Sequence, residues 1–313
     1  MRQLLKTLFA LFVFPGFSFL FLCAMVFDWL DRRIIARFQG RVGPPWYQPL
    51  ADFIKLMAKE DILPVGSGHT IAALLPMVSL AAVLTAGIYV PFAGASSAAF
   101  EGDLIVVLFL LSIPSVAYFL AGWVTVGVYS VLGGNRALLQ YFSYEVPFLM
   151  ALSAPAILSG SWSIASISAR QTMWGVFVQP LGFILATVGL IGKLKRDPLD
   201  IPKAKSEVVA GSLTEYSGRK LALWHLSMEM QTVVGIYLLV NLYLGGSRTT
   251  FVVVPTLLAH VIFYVKALGI LGLLSTASVL FARLRIDQFA DIGWQLLAPL
   301  SLLQIMVTIW LGE

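Results

Sequence analysis

Cysteine occurs once in this chain, as Cys23. A lone thiol forms no intrachain disulfide, completes no Cys-based zinc site and cannot hold an iron–sulfur cluster. Histidine is nearly as scarce: His69, His225 and His260 stand far apart, so neither a haem nor a metal site is expected in this chain. Charge is the third scarcity. Asp, Glu, Lys and Arg make up 12% of the 313 residues, against about 25% in a soluble domain. Hydrophobic residues make up 59%, and the mean hydropathy is +0.88. There is no phosphate loop, nucleophile triad, dinucleotide fingerprint, metal-ligand spacing or strong internal repeat. Such a composition belongs to an all-α polytopic membrane protein. The net charge of +5 reflects where the loops lie and gives no reason to expect nucleic acid as a partner.

A membrane-crossing helix needs about 20 apolar residues. Eight stretches qualify, at 8–30, 70–92, 104–127, 138–159, 174–192, 222–245, 254–281 and 288–311. The N-terminus has basic residues before an apolar run, as a signal peptide does. The run continues to Leu30 without a small-residue cleavage site, so it reads as a retained first span. Basic residues then set the orientation. The loops after spans one, three, five and seven carry Arg32, Arg33, Arg37, Arg41, Lys55, Lys59, Arg136, a long charged cluster, Arg283 and Arg285. The opposite side has Arg2, Lys6, Arg170 and Arg248. Both termini are therefore expected outside a cell (inner) membrane, with the charged loops in the cytoplasm.

Two loops are more than tethers. The first cytoplasmic loop, 31–69, makes a rigid turn at Gly43-Pro44-Pro45. It then forms an amphipathic helix from Tyr47 to Asp61, with Leu50, Phe53, Ile54 and Met57 on one face. That helix lies in the membrane interface, docks a soluble partner or lines a cavity mouth. The second loop, 193–220, is the densest run of charge in the chain. Pro198 and Pro202 flank Asp200, and Glu207 and the Glu215-Tyr216-Ser217-Gly218 turn follow. Spaced acids between rigid turns point to a built surface.

Charge also falls inside predicted spans: Glu145 in the fourth, Glu229 in the sixth, and Lys266 in the seventh with His260 ahead of it. Such groups face a bundle interior or a wet path. They form either a structural Glu–Lys pair or a proton or ion relay, because burial and a neighbouring charge pull a carboxyl's pKa in opposite directions.

Several segments together resemble the H subunit of respiratory complex I and its relatives among energy-converting membrane-bound [NiFe] hydrogenases. They are Asp31-Arg32-Arg33 with Arg37-Phe38-Gln39-Gly40-Arg41; Gln48-Pro49-Leu50-Ala51-Asp52 with Lys55 and Lys59-Glu60-Asp61; and Ala121-Gly122-Trp123, Arg136 and Ser143-Tyr144-Glu145. Further along come Pro198-Leu199-Asp200-Ile201-Pro202, Glu207-Val208-Val209-Ala210-Gly211, Glu215-Tyr216-Ser217-Gly218, and Arg283, Arg285, Asp287-Gln288 and Gly293-Trp294. The resemblance implies an eight-helix, non-catalytic subunit between a peripheral redox arm and antiporter-like, ion-pumping subunits. Iron–sulfur clusters, with or without a [NiFe] centre, would sit in the partners.

On this resemblance Glu145, Asp200, Glu207 and Glu215 match the acids of an ion path, which Glu229 and Lys266 extend. The surface facing the redox arm would comprise Asp31, Arg32, Arg33, Arg37, Arg41, Asp52, Lys55, Glu60 and Asp61, Lys193, Lys203 and Lys205, and Arg283, Arg285 and Asp287. Quinone-reducing relatives usually have glutamates where Lys193, Lys203 and Lys205 stand, and an insertion where Val42–Tyr47 is short. The chain is therefore most similar to the membrane subunit of archaeal ferredoxin-dependent hydrogenases and sulfane reductases. The alternatives are a quinone-chamber subunit of an NADH- or ferredoxin-quinone oxidoreductase and, from another class, a stand-alone ion transporter.

Overall fold

The computed structural model describes residues 12–14, 16–92, 99–247 and 256–312, without the side chains of 205, 206, 256, 257 and 312. Arg2, Lys6, Arg248, the Lys205 side chain and the predicted span start at 8–11 lie outside the described residues. The described residues form helices and connecting loops, with no strand. In chain order the helices are α1 Phe17–Phe38, α2 Gln48–Ala58, α3 His69–Tyr89, α4 Asp103–Val124, α5 Val128–Ser159, α6 Ile164–Arg170 and α7 Gly175–Val178. They continue with α8 Pro180–Leu194, α9 Lys205–Val208, α10 Gly218–Tyr243, α11 Thr256–Leu280, α12 Ile286–Asp291 and α13 Ala298–Gly312. A π-helical segment, Ile292–Leu297, joins the last two.

Six helical stretches among the described residues are long and apolar enough to cross a bilayer: α3, α4, α5, α10, Leu258–Leu280 of α11, and Ile286–Leu311. The two remaining predicted spans differ from their expectation for physical reasons. Helix α1 runs on to Phe38, so its last two turns carry Asp31, Arg32, Arg33 and Arg37 rather than ending at the membrane edge. The stretch 174–192 breaks at Gln179, whose side-chain amide donates to Ala154 O (3.4 Å) and Thr308 Oγ1 (3.2 Å). This leaves α8 with 15 residues, about 22 Å at 1.5 Å per residue, short of the ~30 Å of a hydrocarbon core. The fourth span starts ten residues before its predicted edge at 138, at Val128.

Helix α10 is the axis of the bundle. Every residue from Met230 to Tyr243 is buried, so this segment is enclosed on all sides, as an apolar helix without a polar face must be. Helices α1, α3, α8 and α11 pack around it. Their outward residues and those of α4, among them Leu22, Ile71, Phe109 and Val265, are exposed, as apolar side chains facing lipid would be.

The charged loops are tied together at one end. Trp29 donates its indole N–H to Pro44 O (3.1 Å), and Ser217 Oγ accepts from Ile62 N–H (2.8 Å). Leu284 N–H reaches Pro198 O (3.2 Å), and Arg136 pairs with Glu207. Predicted loops 31–69 and 193–220, with the segments around Arg136 and Arg283, thus form one surface. Helix α2 lies within it, but Leu50, Ile54 and Met57 stay exposed, and Phe53 packs edge-on against Phe21.

One glycine closes this surface. Gly211 has φ +61°, and a Cβ there would collide with Pro202 O. The 193–220 loop cannot fold back on itself with a side chain at this position. Gly211→Ala is expected to lower the melting temperature of the purified protein markedly. Gly269→Ala, where a Cβ meets nothing within 4 Å, should leave it level or raise it, since alanine gains up to ~1 kcal/mol over glycine inside a helix.

Candidate coupling site

Glu145 is buried in the middle of α5, and its carboxylate has two kinds of partner. Lys193 Nζ donates to both of its oxygens, at 2.8 and 2.7 Å, and Ser112 Oγ of α4 donates to Oε1. Lys193 is 1% exposed. Small residues on α8 bring the two helices close enough for this pair. Gly189 faces Phe148 and Gly192 faces Tyr144, each at a distance that a Cβ would obstruct. The Lys193 ammonium also lies 5.6 Å from the Tyr144 ring and 5.2 Å from the Phe148 ring. Charge, hydrogen bonds and ring quadrupoles together offset the cost of taking two ions out of water.

Outward from this pair runs a row of charges. Gln140 of α5 donates to Gly192 O (2.9 Å) and Leu199 O (2.7 Å), holding the start of the 193–220 loop against the bundle. Arg196 then reaches Asp31 of α1 at 3.0 Å and Glu229 of α10 at 4.0 Å. Asp28, also on α1, is gripped by Arg32 one turn further on, through two contacts of 2.8 and 2.7 Å. Arg32 continues to Asp52 of α2 at 3.1 Å, and Lys55 closes the row at 3.3 Å. Burial raises the Asp52 carboxyl, but hydrogen bonds from Arg32 and Lys55 outweigh it and hold it below the usual carboxylate range. Asp200 sits beside the row, paired with Arg283 at 3.0 Å.

The other residues singled out in the sequence fall into three groups. Glu207 is bound to Arg136, and Asp61 to Lys220 at 3.5 Å, on the charged surface. Glu215 is half-buried against Gly127, and Arg33 covers the Trp29 ring at 5.2 Å. Arg37, Arg41, Glu60, Arg285 and Asp287 lie on the same surface, half-buried or exposed. Lys203 is half-buried beside Met228. Lys266 is placed elsewhere: its ammonium donates to Leu244 O (2.6 Å) and Gly246 O (2.9 Å), past the far end of α10. The partner of Glu145 is therefore Lys193, and Lys266 serves the opposite end of the bundle.

Four contributors are not identified as site residues by the sequence: Asp28, Ser112, Gln140 and Arg196. Asp28 carries a legible signal, an acid inside the predicted first span. Ser112 carries none, because a serine in an apolar helix commonly bonds its own backbone, as this one also does to Leu108 O.

Removing one member of a buried pair strands the other. Lys193→Met is expected to destabilise the folded chain by ~3–5 kcal/mol. Combining it with Glu145→Gln should restore most of that loss, as read by thermal unfolding in detergent.

Comparison with known proteins agrees with this architecture. Residues 10–309 match the NADH dehydrogenase family. The H subunit of NADH-quinone oxidoreductase from Dehalococcoides mccartyi strain 195 is 36% identical, across 93% of this chain and 83% of its own length. Its counterpart of the same name from Carboxydothermus hydrogenoformans is 32% identical, across 93% and 85%. Among solved structures, a chain of the membrane-bound sulfane sulfur reductase, an archaeal respiratory membrane complex, superposes with a TM-score of 0.86. It is 26% identical, and the match covers 98% of this chain and 100% of that one. Fold, segment order and sequence agree along nearly the whole length, and the chain belongs to the NADH dehydrogenase family that includes the H subunits of NADH-quinone oxidoreductases.

Proposed function

We propose that this membrane subunit of a complex I-like oxidoreductase couples electron transfer in a peripheral redox arm to ion movement through the membrane. The arm is ferredoxin-dependent, of hydrogenase or sulfane reductase type, and docks on the surface made by the 31–69 and 193–220 loops. The chain crosses a cell membrane eight times with both termini outside, α1 and the α7–α8 pair completing the count. Antiporter-like subunits continue the ion path laterally.

The observation that carries this reading is the buried Glu145–Lys193 pair at the inner end of a row of charges that reaches the docking surface. A row of this kind transmits a distant charge change. At an effective dielectric of ~20, a unit charge moved to ~4 Å from a carboxylate interacts by roughly 4 kcal/mol, about three pKa units. Redox chemistry that shifts the loop around Asp200 or Arg196 therefore has leverage on the buried Glu145–Lys193 pair. The fit to the sulfane reductase chain along its full length supports an arm of that type.

One cavity favours a second reading. A cleft of about 320 Å³ opens between α1, α2 and α10, lined by Asp28, Arg32, Phe53, His225 and Glu229. Its lining mixes apolar and charged side chains, a combination that suits a quinone headgroup. The curated relatives are named for quinone. Labelling of Phe53 or His225 by a photoreactive quinone, competed by unlabelled quinone in the intact complex, would favour this reading.

In the complex reconstituted in vesicles, Glu145→Gln should abolish ion translocation while electron transfer to the natural acceptor continues. Translocation at the unsubstituted rate would defeat the coupling role of Glu145.

A further inference from the structure

Lys195 is the cation close to this row that the coupling reading leaves unused. It follows the last residue of α8 in a left-handed conformation, φ 51°. Its own N–H reaches Gly192 O, and that of Arg196 reaches Ile191 O, which closes the helix. Glycine or asparagine usually fills such a position. The turn sends Arg196 toward Asp31 and Glu229 and folds the Lys195 side chain inward, leaving the residue 8% exposed.

Among the described residues the Lys195 ammonium has no ion pair and no hydrogen bond. It lies 4.6 Å from the centre of the Tyr118 ring, and the Lys203 ammonium lies 6.0 Å from the same ring. Lys203 donates to Met228 Sδ at 3.2 Å, a weak acceptor. The contrast with Lys193 is informative. A lysine kept as a permanent buried cation has a carboxylate clamped to it, as Lys193 has Glu145. Lys195 has a ring and two like-charged neighbours.

The groups facing Lys195 are Lys203 and Asp200 from the loop, Lys193 from α8, Glu145 from α5 and the Tyr118 ring from α4. Burial, then repulsion from Lys203 and Lys193, pushes its ammonium down to about 7, against the attraction of Glu145 and Asp200. Burial lowers Lys203 as well, against Asp200 and Glu229 and with help from Arg196.

We propose that Lys195 and Lys203 form a two-amine proton-transfer site beside Tyr118 that feeds the Glu145–Lys193 pair. This rests on the coupling reading. In the first step the half-buried Lys203 ammonium gives a proton to the neutral Lys195 amine, becoming an amine itself. In the second the charge gained by Lys195 repels Lys193 and attracts the Glu145 carboxylate, which loosens that pair. Lys203 is then reprotonated from the aqueous surface. One proton moves inward and no electron moves.

Two substitutions separate a relay from a structural cation. Lys195→Arg keeps the charge but cannot release its proton, and Lys195→Met keeps the bulk without the charge. In the intact complex in vesicles, both should reduce coupled translocation at least tenfold. Normal translocation in Lys195→Arg would overturn the proposal.

A second measurement is independent of transport. The folded state holds Lys195 near 7 and the unfolded chain near ~10.4. Between these values the unfolded chain binds more protons, so wild-type stability rises with pH. The melting temperature of the full chain in nanodiscs should therefore lie furthest below that of Lys195→Met at and below about pH 7, and the gap should close toward about pH 10. A gap that does not change with pH overturns the proposal. If the wild-type complex moves no ions at all, the coupling reading fails by itself, and the pH dependence of this gap alone decides whether the amine titrates.

Discussion

The constraint behind this structure is the cost of an unpaired ion in a medium without water. Glu145 and Lys193 lie in neighbouring helices, nearly fully buried, and neither is tolerable without the other. To bring them together α8 presents Gly189 and Gly192 to Phe148 and Tyr144. Ser112 of a third helix completes the carboxylate's shell. Thus one ion pair specifies the packing of α4, α5 and α8. The same rule explains the rest of the row, where Asp31, Asp28 and Asp52 each take a guanidinium partner.

Around this row the fold divides the work. Helix α10 supplies a rigid apolar axis, buried at every position along its second half. The charged loops are pinned to one another by backbone and side-chain hydrogen bonds and by buried apolar residues such as Leu199, Ile201 and Leu213. Within this surface some cations lie between two acids. Arg196, between Asp31 and Glu229, and Arg283, between Asp197 and Asp200, are the clearest cases.

Three lysines give the inner part of this row its character. Lys193 holds the buried Glu145 in an ion pair. Lys195 and Lys203 lie near the same Tyr118 ring, and burial lowers the proton affinity of both.

Much of this is legible in the sequence. Long apolar runs define membrane helices regardless of their neighbours, because hydrocarbon leaves the backbone no other partner than itself. Glu145, Glu229 and the spaced acids of the 193–220 loop stand out because charge is rare in this chain. What the tertiary structure decided was partnership. Both Lys193 and Lys266 were available to Glu145, and only the closeness of α8 selected Lys193, while Lys266 bonds carbonyls at the far end of α10. The break at Gln179 has a local cause in Pro180, which starts α8, but the bonds that Gln179 makes to Ala154 and Thr308 join segments distant in the chain, which hydrophobic periodicity does not encode.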